Sequence, residues 1–167
     1  SFHEEQDIRS MGGVWKKIPY TYGLMIIGTL ALTGFPLLSG FYSKDAIIEF
    51  SYLKGSSIGY SAATVGVVTA FLTAIYSWRL IFKTFHGKYN NKENNINSIQ
   101  ESSLTMLIPS CLLALGAIFT GITFQEIFIG QLSLDFWKES IFFLQIIHHE
   151  HMPTWLPLIA PILVTLA

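Results

Sequence analysis

The stretch LSGFYSKDAIIEF, residues 38–50, sets Lys44, Asp45 and Glu49 inside a run that otherwise reads as membrane. Amines and carboxyls at such depth are the equipment of proton transfer, because a relay needs a group whose two charge states lie close in energy. A charge at the bilayer centre costs about 2.5–3.5 kcal/mol on insertion scales, so such groups normally face protein or water. If the chain is helical from Ser43 onward, the residues three and four away from Lys44 are Gly40, Phe41, Ile47 and Ile48, an apolar face. Asp45 and Glu49 stand four apart and share a different face, so Lys44 has no carboxylate on its own. Two readings follow. In one, a span ends near Phe41, Lys44 snorkels to the interface and Asp45 caps the next turn. In the other, Lys44 is a relay group held at membrane depth, with Asp45 and Glu49 as exit-side acceptors or as charges that tune it.

Other polar groups are weaker candidates. Thr69, Thr73 and Ser77 recur every four residues and share one helix face. Such a stripe usually bonds back to its own helix or to a neighbour, and otherwise lines a hydrated path. Arg79 either sits in a favourable last turn or steadies a carboxylate of a neighbouring helix. His86, before Gly87, reads as a helix C-terminus. His148 and His151 in HHEH are three apart, a metal-ligand spacing, but the nearby Pro153 favours a polar loop end. His3 with Glu4, Glu5 and Asp7 reads as a solvated face. The single cysteine, Cys111, allows no internal disulfide and no cysteine metal framework.

The elements that must carry these groups are transmembrane helices. Charged residues make up 13% of the chain and hydrophobic ones 51%, whereas an ordinary soluble domain carries about 25% charged residues. A net charge of −1 gives no footprint for nucleic acid. A span needs roughly 20 mostly apolar residues. The sequence predicts an all-α, polytopic transmembrane helix bundle of about three full spans plus the start of a fourth, the first one discontinuous. Residues 1–18 read as a cytoplasmic segment, 19–53 as a broken span, 54–61 as a loop and 62–82 as the second span. Residues 83–103 read as a cytoplasmic loop and 104–124 as the third span. Residues 125–153 read as a periplasmic segment with an interfacial helix carrying Phe136, Trp137, Ile141 and Leu144, and 154–167 as the start of another span. The break is expected around Pro36, bracketed by Gly34 and Gly40, because proline supplies no backbone donor. Lys and Arg alternate between connecting segments, which puts the N-terminal segment and the Asn-rich loop on the cytoplasmic side. The ends of the chain suggest an internal fragment of a longer membrane protein.

The stretches HEEQDIRSMGGVWKKIPYTY, LALTGFPLLSGFYSKDAI and SWRLIFKTFHGK, with DFWKESIF and HMPTWLPLIAPI downstream, carry a family resemblance. In combination they resemble subunit L (mitochondrial subunit 5) of proton-pumping NADH:quinone oxidoreductase, respiratory complex I, in the antiporter-like group. That resemblance implies a proton-translocating membrane subunit in a multisubunit oxidoreductase, with a discontinuous helix where Pro36 and Gly40 fall. It implies that Lys44 falls on the family's candidate terminal proton site and Asp45 on a position linked to its exit. It also implies other membrane-arm subunits and the lipid bilayer as partners. Flavin, iron–sulfur clusters, NADH and quinone would belong to or with partner subunits, and none to this chain. The expected membrane is a bacterial inner membrane. The sequence departs from the family where FPLLSG keeps one proline of a usual pair, which suggests a milder break, and the family's upstream pumping residues lie outside the chain. An Mrp-type cation/proton antiporter fragment and a non-pumping remnant of a split gene are the alternatives.

Overall fold

The computed structural model describes residues 8, 11–89, 99–130 and 132–140. The acidic stretch around His3, the HHEH stretch, Ile141, Leu144 and the expected last span lie outside them. All regular structure among the described residues is helical, as the sequence predicts. The order is α1 (Pro19–Thr33), α2 (Ser39–Leu53), α3 (Ser57–Phe85), α4 (Leu104–Phe128) and a short α5 (Ser133–Trp137) followed by a 3₁₀ turn (Lys138–Ser140).

Pro19 occupies the first turn of α1, where its missing N–H is not needed. The next free donors are unmet locally, because the N-cap residue Ile18 supplies no side-chain acceptor. Glu101, eighty residues downstream, supplies it. Its carboxylate accepts from the backbone N–H of Tyr20 at 3.1 Å and of Thr21 at 3.3 Å, and from the Thr21 hydroxyl. Burial alone would raise the Glu101 carboxyl, but the donors from Thr21, Tyr20 and Ser102 outweigh it and hold it below the ordinary glutamate range. The same contact ties the start of α1 to the segment that leads into α4.

At its other end α1 stops at Gly34, whose φ of 84° is a left-handed cap. The Gly34 N–H reaches the Ala31 carbonyl at 3.3 Å and the Phe35 N–H reaches Leu30 at 2.9 Å, which satisfies two terminal carbonyls. Pro36 cannot extend the helix, Leu37 also takes a positive φ of 73°, and α2 restarts at Ser39. One proline is thus enough for a complete stop and restart, a sharper break than FPLLSG suggests. The two half-helices meet through backbone: a Cβ on Gly40 would collide with the Ala31 carbonyl oxygen. Gly121 brings α4 equally close, since a Cβ there would lie 2.7 Å from Ser39 Cα.

The second helix starts earlier than its apolar run. Ser56 accepts from the Gly59 N–H at 3.0 Å, so α3 begins at Ser57 and the expected 54–61 loop shrinks to a tight turn. A serine cap read as loop polarity accounts for the difference. Likewise α4 runs on to Phe128, four residues past the expected end. With 29 and 25 residues, α3 and α4 are each long and apolar enough to cross a membrane. Pro109 lies inside α4, in its second turn, where the N–H that would bond the Thr105 carbonyl is missing.

Glu101 places the starts of α1 and α4 at one end of the bundle, and the tight α2–α3 turn lies at the other. So α1, α2 and α4 run one way and α3 returns. The core sits at the α1/α3 end: Val14, Ile18, Ile81, Phe85 and Ile99 are buried together, with Tyr22, Ile26, Trp78 and Tyr89 packed against them. Elsewhere large apolar side chains face outward, among them Leu113 at 76% exposure on α4. Such a surface suits lipid or further membrane helices rather than water. The short α5 packs by aromatics, with Trp137 Nε1 donating to the Phe128 carbonyl at 3.2 Å.

Gly40→Ala drives a methyl into backbone, not into a flexible side chain, so about 1–3 kcal/mol of stability is expected to be lost; thermal unfolding of the full subunit measures it. Glu101→Ala removes the cap of α1 and is expected to cost about 1 kcal/mol. Because the folded carboxyl titrates below its unfolded value, its contribution is full above the ordinary glutamate range and fades as pH falls through the folded value. A wild-type-minus-Ala stability difference that does not shrink on acidification contradicts this.

Candidate functional site

The break determines where the amine of Lys44 goes. Gly34 has no side chain, and the Lys44 stem lies over it: a Cβ at Gly34 would sit 3.5 Å from Lys44 Cδ. Lys44 Nζ and Asp45 Oδ2 are both buried without a hydrogen-bond partner among the described residues. Depth follows from register. Gly66 lies against Ile48, with a would-be Cβ at 3.1 Å from Ile48 Cγ1. One turn back along α2 is Lys44, and one turn forward along the antiparallel α3 is Ala70, buried at 3% exposure. Ala70 stands near the middle of α3, so Lys44 lies level with the middle of that helix.

Lys44 also reaches a groove of about 820 Å³ between α1, the start of α2 and α4. Hydroxyls of Ser39, Ser43 and Ser110 line it, and Thr21 and Ser102, the neighbours of Glu101, line its mouth.

The remaining sequence candidates divide. Glu49 follows Asp45 by one turn of α2 and is half-buried. Thr73 is buried and its hydroxyl donates to the Thr69 carbonyl at 2.7 Å. Ser77, at 4% exposure, behaves differently: its Oγ is buried with no partner among the described residues. Arg79 is exposed on α3, two residues past Ser77 and so on another face, and the fold does not bring it to Lys44.

Two features escaped the sequence reading. Thr29 and Thr33 of α1 are buried at 6% and 0% exposure. Their four-residue spacing is the signal already noticed on α3. Tyr22 and His86 are hydrogen-bonded, with the phenol oxygen 2.8 Å from Nε2 and the His86 ring stacked on Trp15. No local pattern joins residues so far apart in sequence. Among the described residues no cluster of His, Cys, Asp or Glu is arranged to hold a metal.

The cost of the buried amine is measurable. Lys44→Met keeps most of the volume and removes a polar group that lacks an acceptor, so stability is expected to stay level or rise by about 1 kcal/mol. Lys44→Ala leaves the stem's space empty and is expected to be the less stable of the two. Thermal unfolding of both variants of the full subunit tests the order.

Known proteins match along the chain. Residues 1–73 match the family described as NADH:quinone oxidoreductase/Mrp antiporter, transmembrane. NADH-ubiquinone oxidoreductase chain 5 of Chondrus crispus is 43% identical over 172 aligned positions, covering 95% of this chain and 26% of that protein. The chain 5 protein of Phytophthora infestans is 43% identical, covering 96% of this chain and 24% of its own length. That of Dictyostelium citrinum is 46% identical over 84% of this chain and 21% of its own. The chain thus spans about a quarter of the length of the curated relatives it matches. Two helices of membrane-crossing length, a broken helix that carries a buried lysine, and these likenesses agree: the chain is a multi-pass membrane segment that belongs to the NADH:quinone oxidoreductase/Mrp antiporter family.

Proposed function

We propose that this chain is part of a proton-translocating membrane subunit of an NADH:quinone oxidoreductase, and that it supplies the exit-side relay. The observation that carries this is the Lys44 amine, buried beside a helix break, level with the middle of α3, without a hydrogen-bond partner among the described residues. A relay site needs comparable free energies for its charged and neutral forms. A buried amine with no hydrogen-bond partner among the described residues is not locked in its charged form as a tight ion pair would be. The interrupted backbone at Gly34–Leu38 supports the same reading, because irregular backbone at membrane depth belongs where it meets protein or a water-filled cavity.

Roles then follow from position. Lys44 binds and releases the proton. Asp45, on the next face of α2, and Glu49, one turn toward the α2–α3 turn, receive it or tune the lysine. That direction leads away from the end marked by Lys16, Lys17 and Lys83, which the positive charges assign to the cytoplasmic or matrix side. Thr73 and Ser77 hydrate the approach. Electron transfer would belong to other subunits, which would hold the flavin, iron–sulfur clusters, NADH and quinone. The partners are then other membrane-arm subunits and lipid. The sequence suggested a bacterial inner membrane; the eukaryotic sources of the relatives favour the inner membrane of a mitochondrion.

The family description also names Mrp antiporters, and an antiporter subunit would use the same lysine without coupling to NADH. The identities to chain 5 proteins, 43% over 95% of this chain in one case, favour the oxidoreductase. A non-pumping remnant would be expected to lose the buried amine, which is costly to keep.

Proton uptake per NADH oxidised by the intact complex in sealed vesicles tests the role. Lys44→Ala is expected to lower that ratio several-fold at normal assembly. An unchanged ratio rules out an essential relay at Lys44. Proton movement driven by sodium without NADH would favour the antiporter.

A further inference from the structure

The two faces of α3 differ in kind. The face turned into the bundle is built of small side chains, Ala63, Ala70, Thr73, Ala74 and Ser77, all buried. Contacts between membrane helices favour such residues because they let backbones approach. The outward face carries large ones instead, with Leu72, Ile75, Tyr76 and Phe82 exposed by 39–56%. Bulk of that kind suits acyl chains better than a neighbouring helix. Toward the C-terminal end the same face turns basic. Arg79 stands three residues before Phe82 and four before Lys83, so the three share it, and Arg79 and Lys83 are both exposed. No Asp or Glu occurs between Ile75 and Gly87 to pair with them along α3.

A second segment brings another cation to that end. The Trp15 N–H donates to the Phe85 carbonyl at 3.3 Å, and Gly12 and Gly13 run against the carbonyls of Lys88 and Gly87. The Trp15 ring stacks on His86 with centroids 6.2 Å apart, and His86 lies 5.7 Å from the Phe82 ring. Phe82 in turn stacks on Trp78 at 5.9 Å. The four rings form one row, and the exposed Lys16 places its Nζ 5.2 Å over the last of them. Among the described residues the carboxylate at this end is Glu101, and the start of α1 takes up its oxygens. Depth fits as well. The 29 residues of α3 span about 43 Å, more than a hydrocarbon core of about 30 Å. Centred on that core, α3 leaves it near Ile81. Trp78 and Phe82 then straddle the boundary, where aromatic rings settle, and Arg79 and Lys83 reach the phosphate level by snorkelling.

We propose that this face of α3 binds an anionic phospholipid: Arg79, Lys83 and Lys16 hold its phosphate group, and its acyl chains run along Tyr76, Ile75 and Leu72. The Arg79 guanidinium offers paired donors that match phosphate oxygens, and the two ammoniums add charge. The row from Trp78 to Trp15 covers the glycerol level between them. Arg79 thereby finds its anion in the lipid and not in a carboxylate of a neighbouring helix. Nothing in the site requires a relay at Lys44.

The test is photolabelling of the intact complex in vesicles by phospholipids with a diazirine in one acyl chain, the labelled peptides being mapped by mass spectrometry. Two probes share that chain and differ in headgroup, phosphatidylglycerol and phosphatidylcholine. Labelling within residues 72–82 is expected to be stronger from phosphatidylglycerol, by about five-fold for each cation that engages it. Around Leu113, exposed on α4 with no Lys or Arg within ten residues, the two probes are expected to label alike. Arg79→Gln with Lys83→Gln is expected to bring phosphatidylglycerol labelling of α3 down to the phosphatidylcholine level. Lys83→Gln alone is expected to lower it about five-fold, and serves if the double variant fails to assemble. Equal labelling of wild-type α3 by the two probes means ordinary boundary lipid and overturns the site. No label from either means that protein covers this face, which overturns it too. Undiminished labelling in the variants removes the cations from the account and overturns the proposal.

Discussion

The rest of the structure depends on a backbone-to-backbone contact, the approach of Gly40 to the Ala31 carbonyl. A broken helix has two free ends, and each exposes unpaired polar backbone that lipid cannot satisfy. Here the first end is closed by the Gly34 cap. The second half then folds back close enough that no side chain separates the two. The crossing holds α2 at a fixed offset from α1, and Lys44, one turn after Gly40, is thereby laid over the uncapped surface of Gly34. The position of the amine is a consequence of two missing side chains.

Around that contact the bundle divides its labour by end. At the end where α1 begins, aromatic and aliphatic packing between α1 and α3 dominates, with Glu101 fastening α1 to the approach of α4. At mid-depth the packing turns to small and hydroxyl residues, and the buried polar atoms without partners collect there: Lys44 Nζ, Asp45 Oδ2 and Ser77 Oγ. An interior organised for stability alone would avoid that concentration. An interior that moves protons needs groups that are neither fully solvated nor locked in ion pairs, and it needs them between rigid walls. The apolar end supplies the walls.

Much of this was legible in the sequence. The hydrophobic runs gave the helices, Pro36 between Gly34 and Gly40 gave the interruption, and the four-residue spacing of Thr69, Thr73 and Ser77 gave a shared polar face, of which Thr73 and Ser77 are buried and Thr69 is exposed. What escaped has two physical causes. Caps depend on single side chains: Ser56 looked like loop polarity and Glu101 like a solvated charge until the donors of Gly59, Tyr20 and Thr21 were beside them. Depth and register depend on tertiary contact: nothing local says that Ile48 meets Gly66, and so nothing local separates Lys44 at an interface from Lys44 at mid-bilayer. Arg79 is exposed on α3, two residues past Ser77 and on another face.

The depth of residue 44 is therefore the most direct test. A spin label on Lys44→Cys, with Cys111→Ser in the full-length subunit, reports depth by comparing collisions with oxygen, which concentrates in lipid, against a water-soluble nickel complex. Register with Ala70 puts the label near the bilayer centre, about 15 Å from the hydrocarbon boundary, with oxygen contact dominant. Nickel contact equal to that of a label on the exposed Lys54 would put residue 44 at the interface and contradict a lysine held at membrane depth by the broken helix.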